Sequence, residues 1–75
     1  MRTTEQRYIV RLSDPIGAPM YWAFGSLLPE GYGGYPVLDR AQAARMRAPM
    51  ARALAAAIRV EGKAPGRVTV VRAVH

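Results

Sequence analysis

The stretch from Asp39 to Val60 is rich in helix formers, and a proline, Pro49, stands in its middle. Inside a helix a proline removes one backbone hydrogen bond and its ring meets the carbonyl of the preceding turn, at a cost of about 3 kcal/mol. The helical region is therefore either kinked at Pro49 or restarted there. A restart suits proline, because the first helical turn has no use for the missing N–H. Asp39 opens the region with Gln42 three residues on, a capping-box spacing, and its carboxylate also matches the positive end of the helix dipole. Gly62 and Pro65 close it.

Strands flank this region. Tyr8, Val10 and Leu12 alternate with Arg7, Ile9 and Arg11, a period of two that predicts a strand over residues 6–13. Two prolines and a glycine in 14–19 predict a turn. A second strand is expected over 20–28, with Met20, Trp22 and Phe24 on one face and Trp22 and Phe24 in the core. Residues 29–36, Pro-Glu-Gly-Tyr-Gly-Gly-Tyr-Pro, read as a loop. The β-branched run 67–74 predicts the last strand. The expected fold is α+β, a three-stranded antiparallel sheet in ββαβ order with one helical layer, the first strand central and the order 2-1-3. One domain spans 1–75.

The 75 residues contain no cysteine, so the fold has to rest on one modest apolar core without disulfide staples. At about 100° per residue, Met46, Met50, Leu54 and Ala57 gather on one side of the helix, with Ala43 and Ile58 beside them, and form the expected core ladder. Arg45, Arg52 and Arg59, spaced by seven, fall on the opposite side. That stripe reads either as a docking line for phosphates and carboxylates or as the solvated face any helix needs. With one helix available, the second face of the sheet is left to Arg7, Ile9, Arg11 and Tyr21, open to a partner or to a second copy. Tyr32 and Tyr35 lie among glycines, a composition that gives large contact area at low entropy cost. They serve as a binding loop or fold back over the sheet edge.

The net charge is +6, and all of it lies in residues 39–75, where eight bases face two acids. A surface of that sign attracts nucleic acid, acidic protein or anionic lipid. Catalytic chemistry has little to work with. The one histidine is His75, the carboxylates are scattered, and Gly31-Tyr32-Gly33-Gly34 lacks the Lys-Ser/Thr of a phosphate-binding loop. The chain is expected not to be an enzyme and to need no metal or cofactor. No run approaches the roughly 20 apolar residues that span a bilayer, and Met1–Arg7 is polar, so a soluble, cytoplasmic protein without a membrane partner is expected.

Four segments carry a resemblance: the strand Tyr8-Ile9-Val10-Arg11-Leu12, the strand Tyr21-Trp22-Ala23-Phe24, the helix opening Leu38-Asp39-Arg40-Ala41-Gln42-Ala43-Ala44, and Val68-Thr69-Val70-Val71. In size and layout the chain resembles small accessory proteins of phages and mobile elements, and among these the anti-CRISPR proteins. The resemblance implies a non-catalytic protein that works in a bacterial host cell, binds a CRISPR effector complex and blocks target DNA. A basic chain does not imitate DNA by charge, so the block would be steric, on an acidic protein patch or exposed guide RNA. The candidate contact residues, read from the sequence itself, are Arg45, Arg52, Arg59, Tyr32, Tyr35, Arg7 and Arg11. The alternative is a small nucleic-acid-binding accessory protein that uses the arginine stripe. A homodimer through the sheet face or the edge of the last strand is a further expectation.

Overall fold

A computed structural model describes residues 6–13, 17–62 and 66–73. Strands β1 (Tyr8–Ser13), β2 (Met20–Leu28) and β3 (Gly31–Val37) come first, followed by a 3-10 turn at Arg40–Gln42, helix α1 (Ala48–Glu61) and strand β4 (Arg67–Arg72). The four strands form one antiparallel sheet in the order β3-β2-β1-β4. The expected 2-1-3 arrangement survives inside it as β2-β1-β4, with β1 interior. The expectation of three strands and a ββαβ order is corrected by β3, which occupies most of the stretch read as a loop.

Glycine and proline disguise β3. The chain reverses at Pro29-Glu30 and pairs Gly31 with Leu28, Tyr32 with Leu27 and Gly33 with Ser26. Gly34 then adopts φ 121°, where a Cβ would collide with Trp22 Nε1 and lie 2.5 Å from the Ala23 carbonyl oxygen. Only glycine tolerates both the backbone and the approach. Pro36 is admissible because β3 is an edge strand, where a missing N–H need not break the ladder.

The helical region does restart at Pro49, which occupies the first turn of α1. It does not begin as an α-helix at Asp39. Asp39 instead caps the 3-10 turn, its Oδ1 accepting from Ala41 N at 2.9 Å. Residues 43–47 then run extended. Gly62, in the left-handed conformation at φ 66°, ends α1 and donates to the Arg59 carbonyl. The expected turn at 14–19 and the end of the last strand lie partly outside the described residues.

The extended segment forces β1 and β2 apart. The two strands pair only at Arg11–Tyr21 and Leu12–Met20. Beyond that, Met46 exchanges both backbone hydrogen bonds with Tyr8, at 2.7 and 2.9 Å, and Ala44 N donates to Trp22 O at 2.9 Å. The segment thus fills the fork as a short strand-like wedge. The Met46 side chain lands beside Gly25, where a Cβ would come within 2.5 Å of Met46 Cε and 2.7 Å of Leu54 Cδ2.

The break also resets the helix phase. Ala51, Leu54, Ala55 and Ile58 are the buried face of α1, while Met50 is 37% exposed. The expected ladder is therefore corrected at Met50, and Ala57 is only half-buried. Met46 is buried from the wedge, not from the helix. Its core partners are Val10, Trp22, Ala51, Leu54, Ala55, Ile58 and Val68, with Tyr8, Leu12, Tyr32 and Val70 packed around them. The alternation of β1 is thus as expected, with Tyr8, Val10 and Leu12 on the helix side.

The second face is not open where it was expected to be. Ile9 is 1% exposed and packs with Tyr21 and Ala43, flanked by Val37, Val71 and Ala73. The chain around the 3-10 turn covers this part, with the Arg40 guanidinium 5.9 Å above the Tyr21 ring and donating to the Arg72 carbonyl at 2.8 Å.

The packing separates two methionine-ladder positions that the sequence alone equates. Leu54→Ala should cost about 2–5 kcal/mol, Gly25→Ala about 1–3 kcal/mol by crowding Met46 and Leu54, and Met50→Ala about 0.5 kcal/mol. Urea denaturation followed by circular dichroism ranks the three.

Candidate interaction surfaces

The arginine stripe is dismantled by the restart at Pro49. Arg45 lies in the wedge, outside α1, while Arg52 and Arg59 are on the helix. All three are exposed, but Arg59 donates to the Val68 carbonyl at 2.7 Å. That bond has a structural reason. Tyr8 directs its N–H and C=O to Met46, so its β4 partner Arg72 is a non-bonded pair and turns its own carbonyl outward. With a period of two, Val70 and Val68 do the same. Arg40 and Arg59 therefore occupy two of the outward carbonyls of β4. Charged side chains over an edge strand oppose edge-to-edge pairing, which weighs against a dimer through β4.

The remaining candidates divide as well. Arg7 is exposed just before β1, and its carbonyl accepts from Ala73 N at 2.9 Å. Arg11 is half-buried between Tyr21 and Thr69 of the neighbouring strands, with a buried Nε that has no hydrogen-bond partner. Ile9 between them is buried, so Arg7, Ile9 and Arg11 do not make an open docking face.

Tyr32 and Tyr35 lie in β3 rather than in a loop, on opposite faces. Tyr32 turns toward α1 and meets Trp22 edge-on, with centroids 5.6 Å apart and planes at 64°. Trp22 Nε1 donates to the Gly33 carbonyl at 2.8 Å. The Tyr32 hydroxyl is buried without a hydrogen-bond partner, and its pKa is raised from 10.0, first by burial and then by the negative charge of Glu61. Tyr35 is 58% exposed and faces away from α1.

Tyr35 shares that face with a residue expected in the core. Phe24 adopts φ 55°, a conformation that costs a bulky residue roughly 1–2 kcal/mol. The register of β2 against β3 shifts between Ala23 and Ser26. This irregularity sends Gly25 toward Met46 and leaves the Phe24 ring 70% exposed on the other side. Leu28, 49% exposed, joins it, and both reach over Gly33, where a Cβ would lie 3.8 Å from Phe24 Cε2 and 3.9 Å from Leu28 Cδ1. Phe24 and Leu28 thus form an apolar patch on the distal half of the β2–β3 hairpin, with the exposed Tyr35 on the same face of the sheet. The hairpin carries one charged residue, Glu30. Sequence alternation missed Phe24, because a strict period of two puts it beside Trp22. The one available signal was Gly25, a residue with no side chain at a position due to face solvent.

Among the described residues no group of three or more His, Cys, Asp or Glu is placed to hold a metal ion, and no helix is long and apolar enough to cross a membrane. The chain matches no protein-family model, no curated protein and no solved structure.

The raised Tyr32 pKa has a stability consequence. The folded chain holds this proton more tightly than the unfolded chain does, so the contribution is complete below about pH 10 and is lost as pH rises through the folded value. Stability should therefore fall above pH 10. Tyr32→Phe should blunt that fall and add up to about 1 kcal/mol at neutral pH by removing an unpaired hydroxyl. Urea midpoints measured across the alkaline range for both proteins check the sign.

Proposed function

We propose that this chain is a non-catalytic binding protein that docks on another protein through Phe24, Leu28 and Tyr35. One observation carries the reading: a phenylalanine held in a left-handed backbone conformation and 70% exposed, beside an exposed leucine and on the same sheet face as an exposed tyrosine. Single exposed apolar residues are ordinary, whereas a grouped apolar patch marks an interaction site. Aromatic anchors supply much of the energy of protein interfaces. The absence of any base in the hairpin supports a protein partner at this patch rather than a phosphate backbone.

The resemblance to anti-CRISPR proteins adds a partner class. In this reading the chain occupies the surface of a CRISPR effector complex and obstructs target DNA sterically. The net charge of +6 favours an acidic surface on that partner and rules out imitation of DNA by charge. The positive charges outside the hairpin, including Arg45 and Arg52, steer the encounter, while the patch holds the complex.

A second reading has its own observation. Arg45 and Arg52 are exposed, make no hydrogen bond to a described residue, and flank the start of a helix whose first turn contains no acid. A nucleic-acid accessory protein would use these side chains. Its binding would weaken steeply with salt, with a log–log slope near 0.9 for each phosphate contacted on duplex DNA.

Two double variants separate the readings. Phe24→Asn with Tyr35→Ser removes both aromatic anchors, and asparagine tolerates the left-handed backbone. This variant should lose at least about tenfold in affinity for the effector complex and fail to protect target DNA from cleavage. Arg45→Glu with Arg52→Glu should slow association and alter binding much less at about 150 mM salt. Surface plasmon resonance and a DNA-cleavage assay on purified effector complexes read both. Full activity of the aromatic variant, with loss in the charge-reversed one and tight binding to free nucleic acid, overturns the docking proposal in favour of the second reading.

A further inference from the structure

The other face of the same hairpin holds a feature that the docking patch does not use. An open cleft of about 230 Å³ is lined by Trp22, Glu30, Gly31, Tyr32, Gly34 and Glu61. Glu30 comes from the β2–β3 turn and Glu61 from the last residue of α1. Two of the chain's five carboxylates therefore meet at one opening, although eleven bases are available elsewhere. Neither carboxylate is paired with a described residue.

The remaining lining sets the chemistry. Trp22, 6% exposed, has its only side-chain N–H committed to the Gly33 carbonyl, so it offers the cleft the uncovered part of its ring and no side-chain donor. Tyr32 stands edge-on to that ring, and its hydroxyl oxygen has no partner. Carboxylates are acceptors only, and the faces of indole and phenol rings carry negative potential. An anion would meet the like charge of Glu30 and Glu61, with the Tyr32 hydroxyl as the one side-chain donor in the lining. A planar or compact organic cation finds acceptors and π-surface together. We propose that this cleft receives a guanidinium or ammonium group, placed against Trp22 and Tyr32 and balanced by Glu30 and Glu61. The cation is either a side chain of a bound polypeptide or a small free amine, and both present the same chemistry.

Trp22 is the single tryptophan, so its fluorescence reports on the cleft directly. The whole chain is titrated with agmatine, with N-acetyl-arginine amide and, as a neutral control, with N-acetyl-citrulline amide. The two cations should give saturable changes and the citrulline compound none. Glu30→Gln and Glu61→Gln replace exposed side chains without changing their shape, and each should weaken agmatine by roughly tenfold, one step of about 1.4 kcal/mol. Circular dichroism of each variant verifies the fold. If the blocked arginine binds as well as agmatine, the occupant is a polypeptide side chain. If agmatine binds at least about tenfold tighter, the occupant is a free diamine. Equal response to arginine and citrulline compounds, or unchanged agmatine binding in both glutamine variants, overturns the proposal. None of these outcomes depends on the Phe24 patch, so failure here leaves the docking reading standing.

Discussion

The backbone exchange between Tyr8 and Met46 is the interaction on which the rest of this structure depends. It holds an extended segment in the fork between β1 and β2, which would otherwise pair along their length. Once the wedge is in place, Met46 must have somewhere to go, and the missing side chain of Gly25 provides it. Gly25 can face Met46 only because the alternation of β2 slips at Phe24. The exposed aromatic ring is therefore the outer side of an internal packing solution. The cost of the strained backbone is offset by the core contacts of Met46 with Leu54 and its neighbours.

Local signals made the simplest elements legible. The alternation in β1 places Tyr8, Val10 and Leu12 on the helix side because that strand is regular and both of its faces pack. Pro49 announced a helix restart, because proline is costly in a helix interior and harmless in its first turn. What escaped was decided by tertiary contact. Met46 and Met50 are four apart, a helical spacing, but a non-helical stretch separates them, so only Met46 is buried. Tyr32 and Tyr35 looked like a loop because β3 is built from residues that make poor strands. Its pairing to β2 and the contact of Gly34 with the Trp22 ring define it instead. Phe24 is displaced by a register shift, for which Gly25 was the one signal in the sequence.

Charge on this molecule does several different jobs, and a count of arginines does not distinguish them. Arg40 covers Tyr21 and closes one carbonyl of β4, and Arg59 closes another. These two side chains guard an edge, Arg40 tying the 3-10 turn to β4 and Arg59 tying α1 to it. Arg45 and Arg52 remain in solvent. The hairpin opposite in character is nearly free of charge, apolar on one face and acidic with aromatic walls on the other. A basic body that bears such a hairpin suits long-range attraction to an acidic partner followed by short-range apolar contact.

Native-state amide hydrogen exchange tests the central claim most directly. If the wedge exists, the amides of Ala44, Met46 and Tyr8 are bonded within the sheet and exchange slowly, together with the core amides of α1. The exposed 3-10 turn should exchange much faster. Exchange of Ala44, Met46 and Tyr8 at the rate of an unprotected loop would show that β1 and β2 are not parted by this segment, and the account of Gly25 and Phe24 would fall with it.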